Sequence, residues 1–267
     1  MKDIVLMYHG VHSDCYPYIA RNKDENEWVI GIKAFERHMK ILYDSGFQIV
    51  LLKEALGKDS ANKQLKKRVI ISFDDGHETN YLNALPILKY FGFKAEFFIT
   101  SGWIETKCYM TRKQLLELRK HGMSVQSHGV SHRFLPELDD AELAKELGKS
   151  RKVISEIVKD EVFFISYPGG RYDSRTEEYA VKAGYRGSLT SEKGFNDFSH
   201  AKTTFGLNRF AITEGISNRH FKAIIENNIV FFSFLRTKCF LYFLMEKFFR
   251  ESSIEKLKFR IRKLLSL

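Results

Sequence analysis

Val69-Ile-Ile-Ser-Phe-Asp-Asp-Gly-His77 is the stretch around which the chain is organised. Val69, Ile70 and Ile71 are β-branched and apolar, as a strand buried on both faces requires. The run ends in two adjacent carboxylates, Asp74 and Asp75, and then Gly76, which permits a sharp turn at a strand's carboxyl end. Two unpaired acids there repel each other and lose hydration, so they call for a cation. About fifty residues on, His128 and His132 are suitable partners for one.

Working outward, strands and helices alternate. Strands are predicted at Ile4–Met7, Phe47–Leu52, Ala95–Thr100, Ser124–Ser127, Val162–Tyr167, Tyr185–Thr190 and Gly206–Ile212. Helices are predicted between them. One centres on Phe35, Met39 and Leu42. Another runs Asn80–Tyr90, with Pro86 starting or kinking it. A third opens at a Thr111/Gln114 capping box, a fourth spans Asp139 to about Val158, and a fifth opens at a Ser174/Glu177 capping box. Seven or eight such alternations imply an α/β fold, a largely parallel sheet closed or nearly closed into a (β/α) barrel. The alternation stops near Asn227, which divides the chain into a barrel, 1–227, and a tail, 228–267.

With 267 residues the barrel can bury a substantial core, and 28% charged residues is ordinary for a soluble globular protein. The net charge of +10 is uneven, since +6 of it lies from Val230 onward. That pattern points to a local acidic partner for the tail and away from nucleic acid running over the whole protein. Val230–Met245 is too short and too charged to span a bilayer. In the final segment Ile254, Leu257, Ile261, Leu264 and Leu265 share a helical face opposed by Lys256, Arg260 and Lys263. Such a basic amphipathic helix suits peripheral contact with an anionic membrane; a helical hairpin packed on the barrel or in a dimer fits equally. Cys15, Cys108 and Cys239 lack paired spacing and read as free thiols. The N-terminal apolar run is too short for a signal peptide, so the expected location is cytoplasmic.

Asp75, His128 and His132 make a three-ligand set for a borderline cation such as zinc, leaving a position open for water. The histidines at i and i+4 are expected on one side of a single helical turn. Asp74, beside the ligand yet not spent on the metal, is the natural general base. Two surface histidines would show the same spacing; the strand-end Asp-Asp-Gly gives the pair its meaning.

These pieces resemble the polysaccharide deacetylase family, carbohydrate esterases that remove N-acetyl groups from sugars. The matching motifs are Ser72-Phe-Asp-Asp-Gly76, Ser127-His-Gly-Val-Ser-His132 and Ser166-Tyr-Pro-Gly-Gly170, in the family's order, over roughly residues 1–215. The resemblance implies a distorted (β/α) barrel in which Asp74 is the base and Asp75, His128 and His132 hold a divalent metal, zinc above others. Two departures stand out. The family often has an Arg two residues before the Pro of the third motif, where this chain has Ser166, and the late Leu-x-His motif that supplies the acid is absent. Leu6-Met-Tyr-His-Gly-Val11 resembles the permuted branch related to poly-N-acetylglucosamine deacetylases, which makes His9 the candidate acid. A strand-end His bonded to a loop carbonyl is the structural alternative. Arg209 is the candidate replacement for the missing Arg, holding Asp74 by a bidentate ion pair. The Gly169 N–H is a candidate oxyanion donor, and Tyr8, Tyr167 and Trp103 are candidates for a sugar-binding wall.

The expected function is therefore metal-dependent removal of acetyl from an N-acetylated sugar of a glycan or glycan precursor. A C–N hydrolase of small cyclic amides, or a non-catalytic binding module at a membrane, are the alternatives. The complete Asp75/His128/His132 set and the presence of Asp74 weigh against both.

Overall fold

A computed structural model describes residues 3–20, 23–57, 67–198 and 204–228. The chain divides into two compact units, Met1–Asn218 and Arg219–Leu267. Of the second only α7 (Asn218–Glu226) and its flanking residues are described. The tail expected to contact membrane or to form a hairpin lies outside the described residues. Among the described residues no helix is long and apolar enough to cross a membrane.

In chain order the first unit runs β1 (Ile4–Tyr8), β2 (Gly10–His12), β3 (Val29–Gly31), α1 (Ile32–Asp44), β4 (Gln48–Ile49), α2 (Leu52–Ala55) and β5 (Arg68–Phe73). It continues with α3 (Leu85–Phe91), β6 (Glu96–Ile99), α4 (Arg112–Lys120), β7 (Ser124–Ser127), α5 (Asp140–Val158), β8 (Phe164–Ser166), α6 (Ser174–Lys182), β9 (Gly187–Leu189) and β10 (Phe210–Ala211). The main sheet is parallel, in the order β10-β1-β5-β6-β7-β8-β9, with β4 paired to the start of β5. β1 and β5 are neighbours in it, in full register from Ile4↔Val69 to Tyr8↔Phe73. At the far side Leu189 bridges Leu207 in parallel, and Leu207 leads into β10, which pairs with β1. That bridge closes the sheet into the expected distorted barrel.

One apolar cluster joins Val5, Ile70, Phe98, Phe164, Leu189 and Leu207, drawn from strands all round the sheet, as a barrel interior demands. The other face of β1, β5 and β6 is aromatic. Tyr8 meets Phe35 of α1 edge-on at 5.3 Å, and Phe73 stacks on Phe97 at 4.9 Å. β1 and β5 are thus buried on both faces, which is why they read as near-continuous apolar runs, broken in β5 by Ser72.

Several local expectations change. The helix expected over 80–90 is two pieces, a π-helical turn at Asn80–Ala84 followed by α3, with Pro86 at the α-helical start where no N–H donor is missed. The strand expected at 47–52 pairs only over Gln48–Ile49, because α2 already begins at Leu52. The cap of α6 is Asp173, whose carboxylate accepts from Thr176 N–H at 2.7 Å, so Ser174 is its first helical residue and no cap. His128 to His132 form no helical turn: the segment is a loop with Gly129 at φ +78 and His132 at φ +62. The Thr111/Gln114 capping box is present as expected.

Candidate active site

The β5 ladder carries one residue past the strand, Asp74 N–H donating to Tyr8 C=O at 3.0 Å. The chain then turns sharply, with Asp75 at φ +72 and Gly76 at φ +89. Left-handed backbone at a non-glycine residue costs on the order of 1–3 kcal/mol and persists where surrounding contacts enforce it. Here they do so through Gly76 N–H to Asp74 C=O and Thr100 N–H to Asp75 C=O. A Cβ at Gly76 would meet Ile99 Cδ1 at 3.1 Å. The turn aims both carboxylates across the barrel mouth.

β7 delivers His128, and the loop after it returns His132. Their Nε2 atoms lie 3.4 and 3.3 Å from Asp75 Oδ1. Ligand atoms of Asp75, His128 and His132 all fall within 4.8 Å of one another, the spacing of a three-ligand metal site. His128 Nδ1–H donates to Ser166 C=O at 2.7 Å, which fixes its tautomer and leaves Nε2 with a lone pair for a cation. Asp75 Oδ1 is buried with no hydrogen-bond donor among the described residues. An orphaned carboxylate oxygen facing two imidazole lone pairs is a fit for a divalent metal.

Asp74 faces the opposite way. Arg209 donates to both its oxygens, Nη1 to Oδ1 at 2.8 Å and Nη2 to Oδ2 at 2.7 Å, and Ser166 Oγ adds a third bond at 2.9 Å. Arg209 is fully buried and is itself braced by Thr190 C=O at 2.7 Å and Ser166 Oγ at 2.8 Å. Burial raises the Asp74 carboxyl, but the Arg209 charge and hydrogen bonds, with the nearby histidines, win and hold it down to about 2. Ser166, where the family often has Arg, is small enough to admit a guanidinium arriving from the segment before β10.

His9 follows β1 on the same rim. Its Nδ1 is buried with no partner among the described residues, and its ring lies 5.0 Å from Trp28. Burial lowers its pKa, opposed by the Asp75 and Asp74 charges, and burial prevails.

A cavity of about 580 Å³ brings most of these together. Its lining includes His9, Asp74, Asp75, His128, His132 and Gly169. Gly169 has φ +62, and a Cβ there would meet the Phe134 ring at 2.5 Å. Trp103 also lines it, stacked on His132 at 5.2 Å. Tyr167 and Tyr8 do not: both are fully buried, Tyr167 against Tyr172 and Tyr8 in the aromatic layer under α1, so neither ring can meet a sugar. Their places are taken by Tyr18, Trp28 and Glu25, from the segment between β2 and β3. Two aromatics in a charged loop were the available signal. Asn83, in the π-helical turn, pins that segment by donating to Val11 C=O at 2.6 Å and Tyr16 C=O at 2.8 Å.

The sequence model described as polysaccharide deacetylase matches residues 61–188. A Bacillus subtilis chain, YxkH, assigned to the polysaccharide deacetylases, is 35% identical over 224 residues, covering 84% of this chain and 76% of its own. A poly-beta-1,6-N-acetyl-D-glucosamine N-deacetylase of Staphylococcus aureus is 27% identical over 209 residues, 71% of this chain and 72% of its own. Among solved structures, the Streptococcus pyogenes deacetylase PplD, in complex with acetate, superposes with a TM-score of 0.73 at 25% identity. It covers 84% of this chain and 98% of that one. IcaB from Ammonifex degensii shares the fold, with a TM-score of 0.69 at 20% identity over 84% of this chain and 96% of that one.

Proposed function

The chain belongs to the polysaccharide deacetylase family, and from that membership we propose that it is a metal-dependent N-deacetylase of an N-acetylated carbohydrate. The observation that carries the proposal is the pairing of Asp75, His128 and His132 around one buried, donor-less oxygen, beside a second carboxylate tied to Arg209. The three residues would hold a divalent cation, zinc being the first choice for two imidazoles and one carboxylate. When bound, such a cation polarises the acetyl carbonyl and lowers the pKa of water.

The chain's own residues supply the proton handling. Asp74, anionic at any working pH, accepts the proton of the attacking water; a carboxylate held near 2 is a weak base, so it needs an acidified water to work on. His9, left neutral because burial lowers its pKa, would relay to the amide nitrogen the proton that Asp74 takes from the water as the C–N bond breaks, so that acetate and a free sugar amine leave. The Gly169 N–H stabilises the oxyanion. Arg209 keeps Asp74 charged and aimed, and Trp103, Trp28 and Tyr18 form the sugar-facing wall. The division into a barrel, 1–227, and a basic tail, 228–267, belongs to the same reading, with the tail the candidate for contact with an anionic membrane.

Purified protein should release acetate and free amine from N-acetylglucosamine oligomers, and lose this with a chelator. Asp75→Ala, His128→Ala and His132→Ala should each lose metal, by mass spectrometry, together with activity. Asp74→Asn should keep metal and slow the reaction by roughly two to four orders of magnitude, the range for a removed general base. Wild-type turnover by Asp75→Ala would overturn the assignment.

A further inference from the structure

The loop that carries two of the three ligands has little reason of its own to hold its shape. His128-Gly-Val-Ser-His132 has no secondary structure, and its φ angles of +78 at Gly129 and +62 at His132 lie where backbone needs outside enforcement. Ser101 N–H and Gly102 N–H hold the Gly129 and Val130 carbonyls at 2.9 Å each, and the loop's amides and Ser131 hydroxyl are held from α5. Glu146, only 9% exposed, places one oxygen, Oε1, within reach of three donors of the loop: Val130 N–H at 2.7 Å, Ser131 N–H at 2.6 Å and Ser131 Oγ–H at 3.0 Å. Four residues on, and so on the same helical face, Ser150 Oγ donates to Gly129 C=O at 2.8 Å and lies 2.7 Å from Ser127 Oγ. Ser127 Oγ in turn accepts the Gly129 N–H at 3.2 Å. Gly129 is small where this clamp passes, since a Cβ there would meet Glu146 Oε1 at 3.0 Å.

We propose that Glu146 is a positioning residue for the metal: its carboxylate sets the loop conformation that presents His132 to the cation beside His128 and Asp75. The inference rests on those three being the metal ligands. Three hydrogen bonds to one ionised oxygen are charge-assisted, and a carboxylate that gathers two successive backbone N–H groups fixes the peptide planes between them. Those planes lead directly into His132. The side chain touches neither cation nor substrate; it acts through the ligand that it orients. Ser150 is its partner on the other side of the loop, holding the carbonyl of Gly129 while Glu146 holds the amides that follow.

The test is metal binding to purified full-length protein, stripped and titrated with Zn2+ against a chromophoric chelator, and with Co2+ for its visible spectrum. Glu146→Ala should weaken Zn2+ binding about 10–100-fold, the usual effect of removing a group that orients ligands, and should alter the Co2+ bands. Glu146→Asp, whose carboxylate is withdrawn by one methylene, should behave like it. Glu146→Gln keeps an acceptor oxygen in place and should stay within about threefold of wild type on that scale. A merely structural Glu146 would lower the melting temperature of the metal-free protein yet leave affinity and spectrum alone. Wild-type affinity and an unchanged Co2+ spectrum in Glu146→Ala, or in Glu146→Asp should the alanine variant not fold, would overturn the proposal. Failure of the wild-type protein itself to bind either metal would strike the metal-site reading first.

Discussion

Asp74 and Arg209 form a fully buried ion pair with every good hydrogen bond in place. Such a pair is strongly disrupted by removing one partner, because the other charge is left stranded, whereas removing both costs far less. Arg209→Leu should therefore destabilise the metal-free protein by about 3–5 kcal/mol, and Asp74→Leu/Arg209→Leu by less than the single change. Urea denaturation of wild type and these two variants checks this; a double variant less stable than Arg209→Leu would mean the pair is not coupled. Glu96 makes the opposite case. Burial, with repulsion from Glu54, raises its carboxyl to about 7 against hydrogen bonds from Ser124 and Leu52 N–H, and its Oε2 has no partner among the described residues. A raised folded pKa means stability present below about 4.5 and lost as pH rises through about 7. Glu96→Gln should thus raise the melting temperature at pH 8 and do little at pH 4.5. At this scale the carboxylates and histidines were legible because chemistry of that kind has no packing use. Ser166 was not, since a small polar residue acquires its role only from the guanidinium that folding brings to it.

Helix ends carry the clearest lesson at the scale of elements. Asp173 and Ser174 are both good cap residues, and only the backbone decides between them: Asp173 is extended at φ −139 and its carboxylate reaches Thr176 N–H. Asp173→Ala should cost about 1 kcal/mol and Ser174→Ala only a few tenths, measured by thermal unfolding. Asn83 joins the π-helical turn to the segment bearing Tyr18 and Trp28. Asn83→Ala takes one partner each from Val11 C=O, Tyr16 C=O and the Ser13 hydroxyl, the last two keeping their bonds to each other's residue. It should cost about 1–3 kcal/mol, and raise KM for a sugar oligomer more than it lowers kcat. Strands and long helices were readable from period and caps. The π-helical turn and the loop between the histidines were not, because both are set by tertiary contacts, from Asn83 to the 11–16 segment and from Glu146 to the loop, which no local pattern encodes. The (i, i+4) spacing of the histidines identified the ligands for a reason that the loop does not obey.

For the whole molecule, the separation of charge gives a direct experiment. A chain ending at residue 227 should keep its deacetylase activity on a soluble oligomer, while full-length protein should co-sediment with anionic vesicles at low salt and release at high salt. Each Lys or Arg near such a surface contributes about 1 kcal/mol, screened as salt rises. Full-length protein that ignores vesicles at low salt would end the membrane reading. Barrel closure was legible from the count of alternating elements, but the place of the seam was not, because it depends on which short strands pair.

That seam has a dynamic consequence. The ring of strands is joined between β9 and β10 by the Leu189↔Leu207 bridge, through Thr190 N–H to Leu207 C=O and Leu207 N–H to Ser188 C=O. Ser188 N–H to Thr204 C=O and Arg209 N–H to Glu192 C=O flank it, but the seam is an isolated bridge and not a continuous ladder. In hydrogen exchange, then, the amides of Thr190 and Leu207 should lose protection before those of Val69 to Ile71. Arg209 lies two residues beyond the bridge and its Nε–H donates to Thr190 C=O. Each opening of the seam would therefore loosen the counter-ion that aims Asp74, tying the geometry of the base to the integrity of the ring.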